Sequence, residues 1–196
     1  GIVFIMCFVA ARYKRLYFLT LVVGVGLVGL FIFFGDAFRM QRIQIWLDVE
    51  NNEGGFQILQ GLYAIASGGL FGTGLGESMQ KLGFVPEAQN DMIFSIICEE
   101  LGLFGAVSVI LIFLFMIYRF MLIANNAPDL LGALIVVGVM AHIAIQVILN
   151  IAVVTNTIPN TGITLPFISY GGTSVLFLMM EMGMVLGVSN QIRLER

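Results

Sequence analysis

Glu87 and Asp91 stand four residues apart in Pro86-Glu-Ala-Gln-Asn-Asp-Met-Ile-Phe, where a polar stretch gives way to an apolar one. If the segment is helical, that spacing puts both carboxylates on one face. A carboxylate at such a boundary is partly desolvated, which favours its protonated form and suits general-base work. The competing reading is an acidic residue placed to favour the positive end of a helix dipole. Residue chemistry alone leaves both open.

Other polar groups sit inside apolar sequence. Glu181 lies in the middle of Leu178-Met-Met-Glu-Met-Gly. An intramembrane carboxylate is costly and is either functional or hydrogen-bonded inside a bundle. His142, the only histidine, shares a helical face with Gln146 and Asn150. No second His or Cys stands nearby to complete a metal site, so an interhelical hydrogen-bond ladder is the favoured reading. The segment 161–174, Thr-Gly-Ile-Thr-Leu-Pro-Phe-Ile-Ser-Tyr-Gly-Gly-Thr-Ser, puts hydroxyls, a proline and paired glycines where an apolar helix is about to begin. Irregular backbone at membrane depth survives where protein or a water-filled cavity satisfies it, so this stretch is expected to line a cavity. Ser169 has no local histidine to activate it as a nucleophile.

Some patterns carry no chemistry. Gly24-Val-Gly-Leu-Val-Gly matches a dinucleotide fingerprint but sits inside an apolar run without a preceding strand. Close packing of helices through small residues explains it better, and Gly183 with Gly187 reads the same way. Cys7 and Cys98 lie in separate apolar runs, which suggests neither a disulfide framework nor a metal site.

The elements that must position these groups are membrane helices. Of the 196 residues, 59% are hydrophobic and 11% charged, with a mean hydropathy of +1.01. A soluble domain carries roughly 25% charged residues. At about 20 apolar residues per crossing, residues 16–35, 93–118, 130–154 and 169–188 read as spans of one all-α helical bundle, and 1–10 as the end of another. With no initiator Met, no signal peptide and a start inside an apolar run, the chain reads as part of something longer.

Arg12, Lys14 and Arg15, then Arg119, then Arg193 and Arg196 fall on one side if the spans alternate. That side, with the C-terminus, is expected to be cytoplasmic. Residues 36–91 then form a large outer loop with three basic and seven acidic residues. Within it, 38–47 suits an interfacial amphipathic helix with Trp46 at headgroup level, or a short strand. Residues 55–67 suit a short re-entrant or surface-lying helix. The Gly-rich run 68–76 reads as a tight connector whose backbone approaches a substrate, or as a plain turn.

Gly55-Phe-Gln57, the run Ser67 to Gly76, Pro86-Glu…Asp91-Met-Ile-Phe, Glu99-Glu-Leu-Gly102 and Gly162…Leu165-Pro-Phe-Ile-Ser-Tyr-Gly-Gly172 occur in this order. Together they resemble the FtsW/RodA/SpoVE family, with the FtsW subgroup preferred. The resemblance implies the C-terminal part of a protein of about ten spans in a bacterial cell membrane. It implies a peptidoglycan glycosyltransferase that polymerises lipid II outside the membrane. Its partners would be a class B penicillin-binding protein, which crosslinks the strands, and the proteins of the division or elongation complex. No nucleic acid is expected.

By the same resemblance, Asp91 corresponds to the essential acidic residue of the outer loop and is the expected catalytic base. Gln57, Glu87, Ser169 and Tyr170 are expected to bind substrate. Arg39, Arg42 and Lys81 are the outer-face cations available to a departing pyrophosphate. A divalent cation would serve instead, though no ligand set for one is visible. Three features depart from the family pattern: Gln89-Asn90 where many relatives have His-Thr, Glu181 where a small or apolar residue is usual, and Thr155-Asn-Thr-Ile-Pro159. The rival functions are a lipid II flippase, which would use intramembrane charge such as Glu181, and a non-catalytic scaffold for the transpeptidase.

Overall fold

A computed structural model describes residues 22–24, 26, 37–78 and 89–192, without the side chains of 37–39 and 53. The described elements are all helical: α1 Ala37–Leu47, a 3-10 turn Glu53–Gly55, α2 Phe56–Gly68, α3 Ile93–Asn125, α4 Leu130–Val154 and α5 Gly172–Gln191. Three of them, α3, α4 and α5, are long and apolar enough to cross a membrane. Segment 38–47 is thus helix and not strand. The last span begins at Gly172, because residues 169–171 remain irregular.

Helix α4 is the centre of the bundle. It packs on α3 along one side and α5 on the other, while α2 lies against α3. Phe113 and Phe120 of α3, Val136, Ile143 and Val147 of α4, and Leu178 and Val185 of α5 close the core. The outward faces are just as apolar, with Leu111, Ile112 and Phe115 on α3 and Leu176, Phe177 and Leu186 on α5 all exposed. A helix apolar all round suits a lipid surround, where no polar face is needed. Gly183 and Gly187 also face outward, and a Cβ on either would meet nothing within 4 Å. The expected packing through this pair is therefore not found among the described residues. Gly26 likewise has open space among the described residues, and Val25, Leu27, Val28 and Gly29 of its motif lie outside them.

Helix α3 is broken at Gly102, whose φ of 65° and ψ of −162° are reachable essentially by glycine alone. A break in a span exposes backbone groups that lipid cannot satisfy. The Gly-rich run supplies the replacements. Thr73 and Gly74 donate their N–H groups to the carbonyls of Glu99 and Glu100, at 2.9 and 3.1 Å. The Leu103 and Phe104 N–H groups donate to the carbonyls of Gly69 and Leu70, at 3.0 and 3.4 Å. The two helical pairs lost at the kink are thereby replaced by four backbone contacts to one segment, and Thr73 Oγ1 adds a fifth bond to the Glu99 carbonyl at 3.1 Å. The glycines do let backbone approach closely, and what they approach is helix α3. Gly68 and Gly72 have no room for a Cβ against the Cys98 and Glu100 carbonyls. Behind this joint, Glu99 is buried and accepts a hydrogen bond from Ser78.

Candidate active site

The first end of α3, the last turn of α4 and the start of α5 converge at one end of the bundle, with α1, α2 and the segment 155–171 around them. Asp91 occupies the turn 89–92, just before α3 begins at Ile93. The condition under which Glu87 and Asp91 would share a helical face is therefore not met at Asp91. Glu87 and Lys81 lie outside the described residues, as does the side chain of Arg39.

The Asp91 carboxylate accepts a hydrogen bond from Gln57 Nε2 at 3.2 Å, which links the turn to the first residues of α2. Both residues line a cavity of about 310 Å³, together with Gln41, Arg42, Asn160 and Gly162. Arg42 is held there by donating from Nη1 to the Asn160 carbonyl at 3.0 Å. One turn along α1, Trp46 Nε1 donates to the Asn156 carbonyl at 2.9 Å. Two hydrogen bonds thus tie α1 over the segment that follows α4. Among the described residues the cavity presents one carboxylate, one guanidinium and several amides, a set suited to moving a proton beside a negatively charged group.

The Ser-Tyr-Gly-Gly segment is adjacent but separate. Ser169 is buried, and its Oγ accepts from the Leu165 N–H at 2.7 Å, closing a turn. The Tyr170 N–H donates to the Gln89 carbonyl at 2.8 Å, which pins the turn that carries Asp91. Ser169, Tyr170 and Gln89 line a second, more open cavity of about 510 Å³. Of the sequence-derived candidates, Arg42, Gln57 and Asp91 come together, and Ser169 and Tyr170 stand on the far side of the turn.

The polar residues of α4 do not form one ladder. His142 Nδ1 lies 2.9 Å from both carboxylate oxygens of Glu181 on α5, so these two make an interhelical pair. Their side chains retain 31% and 23% exposure. Asn150 turns instead to the site end. Its Nδ2 donates to the carbonyls of Asp91 and Ile163, at 2.8 and 2.7 Å. Gln146 Oε1 is buried without a partner among the described residues. Gln41, Asn150, Asn156 and Asn160 are site contributors that sequence reasoning missed. Only Asn150 carried a signal, as a polar amide near the end of an apolar span. Among the described residues no cluster of three or more His, Cys, Asp or Glu is placed to hold a metal ion.

The family model for FtsW, RodA and SpoVE, described as cell cycle protein, matches residues 1–194. The chain is 46% identical to stage V sporulation protein E of Bacillus subtilis (strain 168), over 98% of this chain and 53% of that one. It is 39% identical to a probable peptidoglycan glycosyltransferase FtsW of Geobacter sp. (strain M18), over 88% of this chain and 48% of the relative. Its fold matches a chain of a solved peptidoglycan synthase complex with a TM-score of 0.73 and 24% identity, over 99% of this chain and 54% of the other. The chain spans about half the length of the curated relatives it matches. Matched by the family model over residues 1–194, it belongs to the FtsW/RodA/SpoVE family of multi-pass membrane proteins.

Proposed function

We propose that this chain forms the catalytic portion of a peptidoglycan glycosyltransferase that polymerises lipid II, with Asp91 as the general base. The observation that carries the reading is the cavity in which the Asp91 carboxylate and the Arg42 guanidinium are both fixed; the placement of basic residues in the sequence supports an outer location for it. A relative named peptidoglycan glycosyltransferase FtsW adds the class of reaction.

In the proposed step, Asp91 takes the proton from a sugar hydroxyl of one lipid-linked unit. The freed oxygen attacks the anomeric carbon of the other unit as the bond to diphosphate breaks. The lipid diphosphate leaves with the electron pair, and the anomeric centre inverts. Carboxylate bases serve inverting glycosyl chemistry in this way. Gln57 holds the carboxylate toward the acceptor, and Arg42 supplies positive charge to the departing group. Lys81 and Arg39 are further cations of the same loop, and Glu87 is assigned to tuning the acidic segment. Ser169 and Tyr170 hold the turn from behind, and Tyr170 offers an exposed ring to substrate.

The partner would be a class B penicillin-binding protein, and the C-terminus would be cytoplasmic. The His142–Glu181 pair is what a flippase reading would build on, since it places ionisable groups within the spans. The two groups satisfy each other, so a packing role accounts for them without transport. Incubating purified whole protein and its transpeptidase with lipid II separates the readings. Glycan strands are expected; lipid II moved across a vesicle bilayer without strands would favour the flippase.

A further inference from the structure

We infer that Asn150 is the positioning residue for Asp91, an inference that rests on Asp91 being the base. Asn150 is fully buried in the last turns of α4, and its Oδ1 has no partner among the described residues, so the amide acts as a donor alone. Both Nδ2 hydrogens are used. One reaches the carbonyl of Asp91 itself, at 2.8 Å. The other reaches the carbonyl of Ile163, at 2.7 Å, beside Gly162 of the cavity wall. Asn150 is not itself part of that wall, so it acts through what it holds.

The effect of this grip follows from where it falls. Asp91 precedes α3 and lies in a turn, which by itself sets its Cα only loosely. Among the described residues, three contacts fix it. Asn150 holds the main-chain carbonyl from the rigid frame of α4. Gln57 holds the carboxylate. Met92, the next residue, is fully buried as an anchor. The Tyr170–Gln89 bond steadies the same turn two residues earlier. Removing Asn150 frees the backbone that aims the carboxylate, while the carboxylate itself remains.

An amide on a short stem is the only side chain that does this here. Leucine matches its shape but donates nothing. Serine donates once and falls short. Aspartate donates nothing and would bury charge beside two carbonyls. A catalytic group misplaced by about 1 Å costs on the order of 100-fold in rate.

The test is Asn150→Leu in the whole protein with its transpeptidase, with kcat and KM for lipid II measured per folded molecule and Asp91→Asn run alongside. The expected result is a kcat lower by on the order of 100-fold, with KM little changed and a retained melting transition. A kcat within a few-fold of wild type overturns the proposal, as does a loss that merely follows the unfolded fraction. If Asn150→Leu does not fold, Asn150→Ser carries the same criteria, and failure of both to fold would assign Asn150 to stability alone. An active Asp91→Asn would instead remove the general base on which the inference stands. An inactive Asp91→Asn beside a normal Asn150→Leu refutes the positioning role by itself.

Discussion

Gly102→Ala should detach the Gly-rich segment from α3. At φ 65° and ψ −162°, any residue other than glycine is strained by about 1–3 kcal/mol. The added methyl would also stand 2.6 Å from the carbonyl carbon and oxygen of Leu70, and closer still to the Gly72 nitrogen. Backbone cannot yield as a flexible side chain does, so the segment must move. Four backbone hydrogen bonds and one from Thr73 Oγ1 cross this joint. Losing two of them at about 1 kcal/mol each brings the total to about 3–5 kcal/mol. For a chain of this size, each kcal/mol lowers the melting temperature by about 2–4 °C, so a fall of about 10 °C is expected. The buried Cys98 thiol is an internal reporter for a thiol-reactive dye, once Cys7 is replaced by serine. Gly183→Ala is the control, because its Cβ meets nothing. If Gly102→Ala and Gly183→Ala melt within 2 °C of each other, about 0.5–1 kcal/mol, the joint does not bear the load assigned to it.

Three other substitutions probe the site and the bundle. Gln57→Leu removes a hydrogen bond to a carboxylate, worth about 1.5–3 kcal/mol, and should lower strand synthesis from lipid II by about 10- to 100-fold; unchanged turnover would show that the Asp91 carboxylate does not depend on α2. Ser169→Ala strands the buried Leu165 N–H at a cost of about 1–3 kcal/mol, so the melting temperature should fall while kcat per folded molecule stays within a few-fold. Complete loss in a folded protein, with a covalent adduct trapped on Ser169 of the wild type, would make the role chemical. For His142→Leu and Glu181→Leu, a double-mutant cycle read by thermal melting should give a coupling of about 0.6–1.7 kcal/mol; strictly additive effects would mean that the pair contributes nothing to packing.

The helices and the acidic turn were legible for a simple reason. Apolar runs long enough to span read directly as helices, and Asp91 marks where one of them starts. Trp46 and Arg42 were legible as residues near an interface, but not as donors to the Asn156 and Asn160 carbonyls, because those partners are more than 100 residues away. The Gly-rich run reads either as a close approach to a substrate or as a plain turn, and it carries no sign of α3 as the partner. Its partner is a break at Gly102, and neither half of the joint makes sense alone. Asn150 looked like one rung with His142 and Gln146, since helical spacing reports a shared face and not what lies opposite. Over the eight residues from His142 to Asn150 the helix rises about 12 Å, enough to take one group to Glu181 on α5 and the other to the turn that carries Asp91.

The most direct test of the account is strand synthesis from lipid II by Asp91→Asn, in the whole protein with its partner transpeptidase. Asparagine is nearly isosteric and keeps an oxygen for Gln57 to bond, so insertion, folding and partner binding should survive. It cannot take the proton of the acceptor hydroxyl. Loss of a general base typically costs about 10²- to 10⁴-fold, so strands should fall below detection in a gel assay. Strand synthesis at the wild-type rate by Asp91→Asn would contradict the central claim and move the base to another carboxylate.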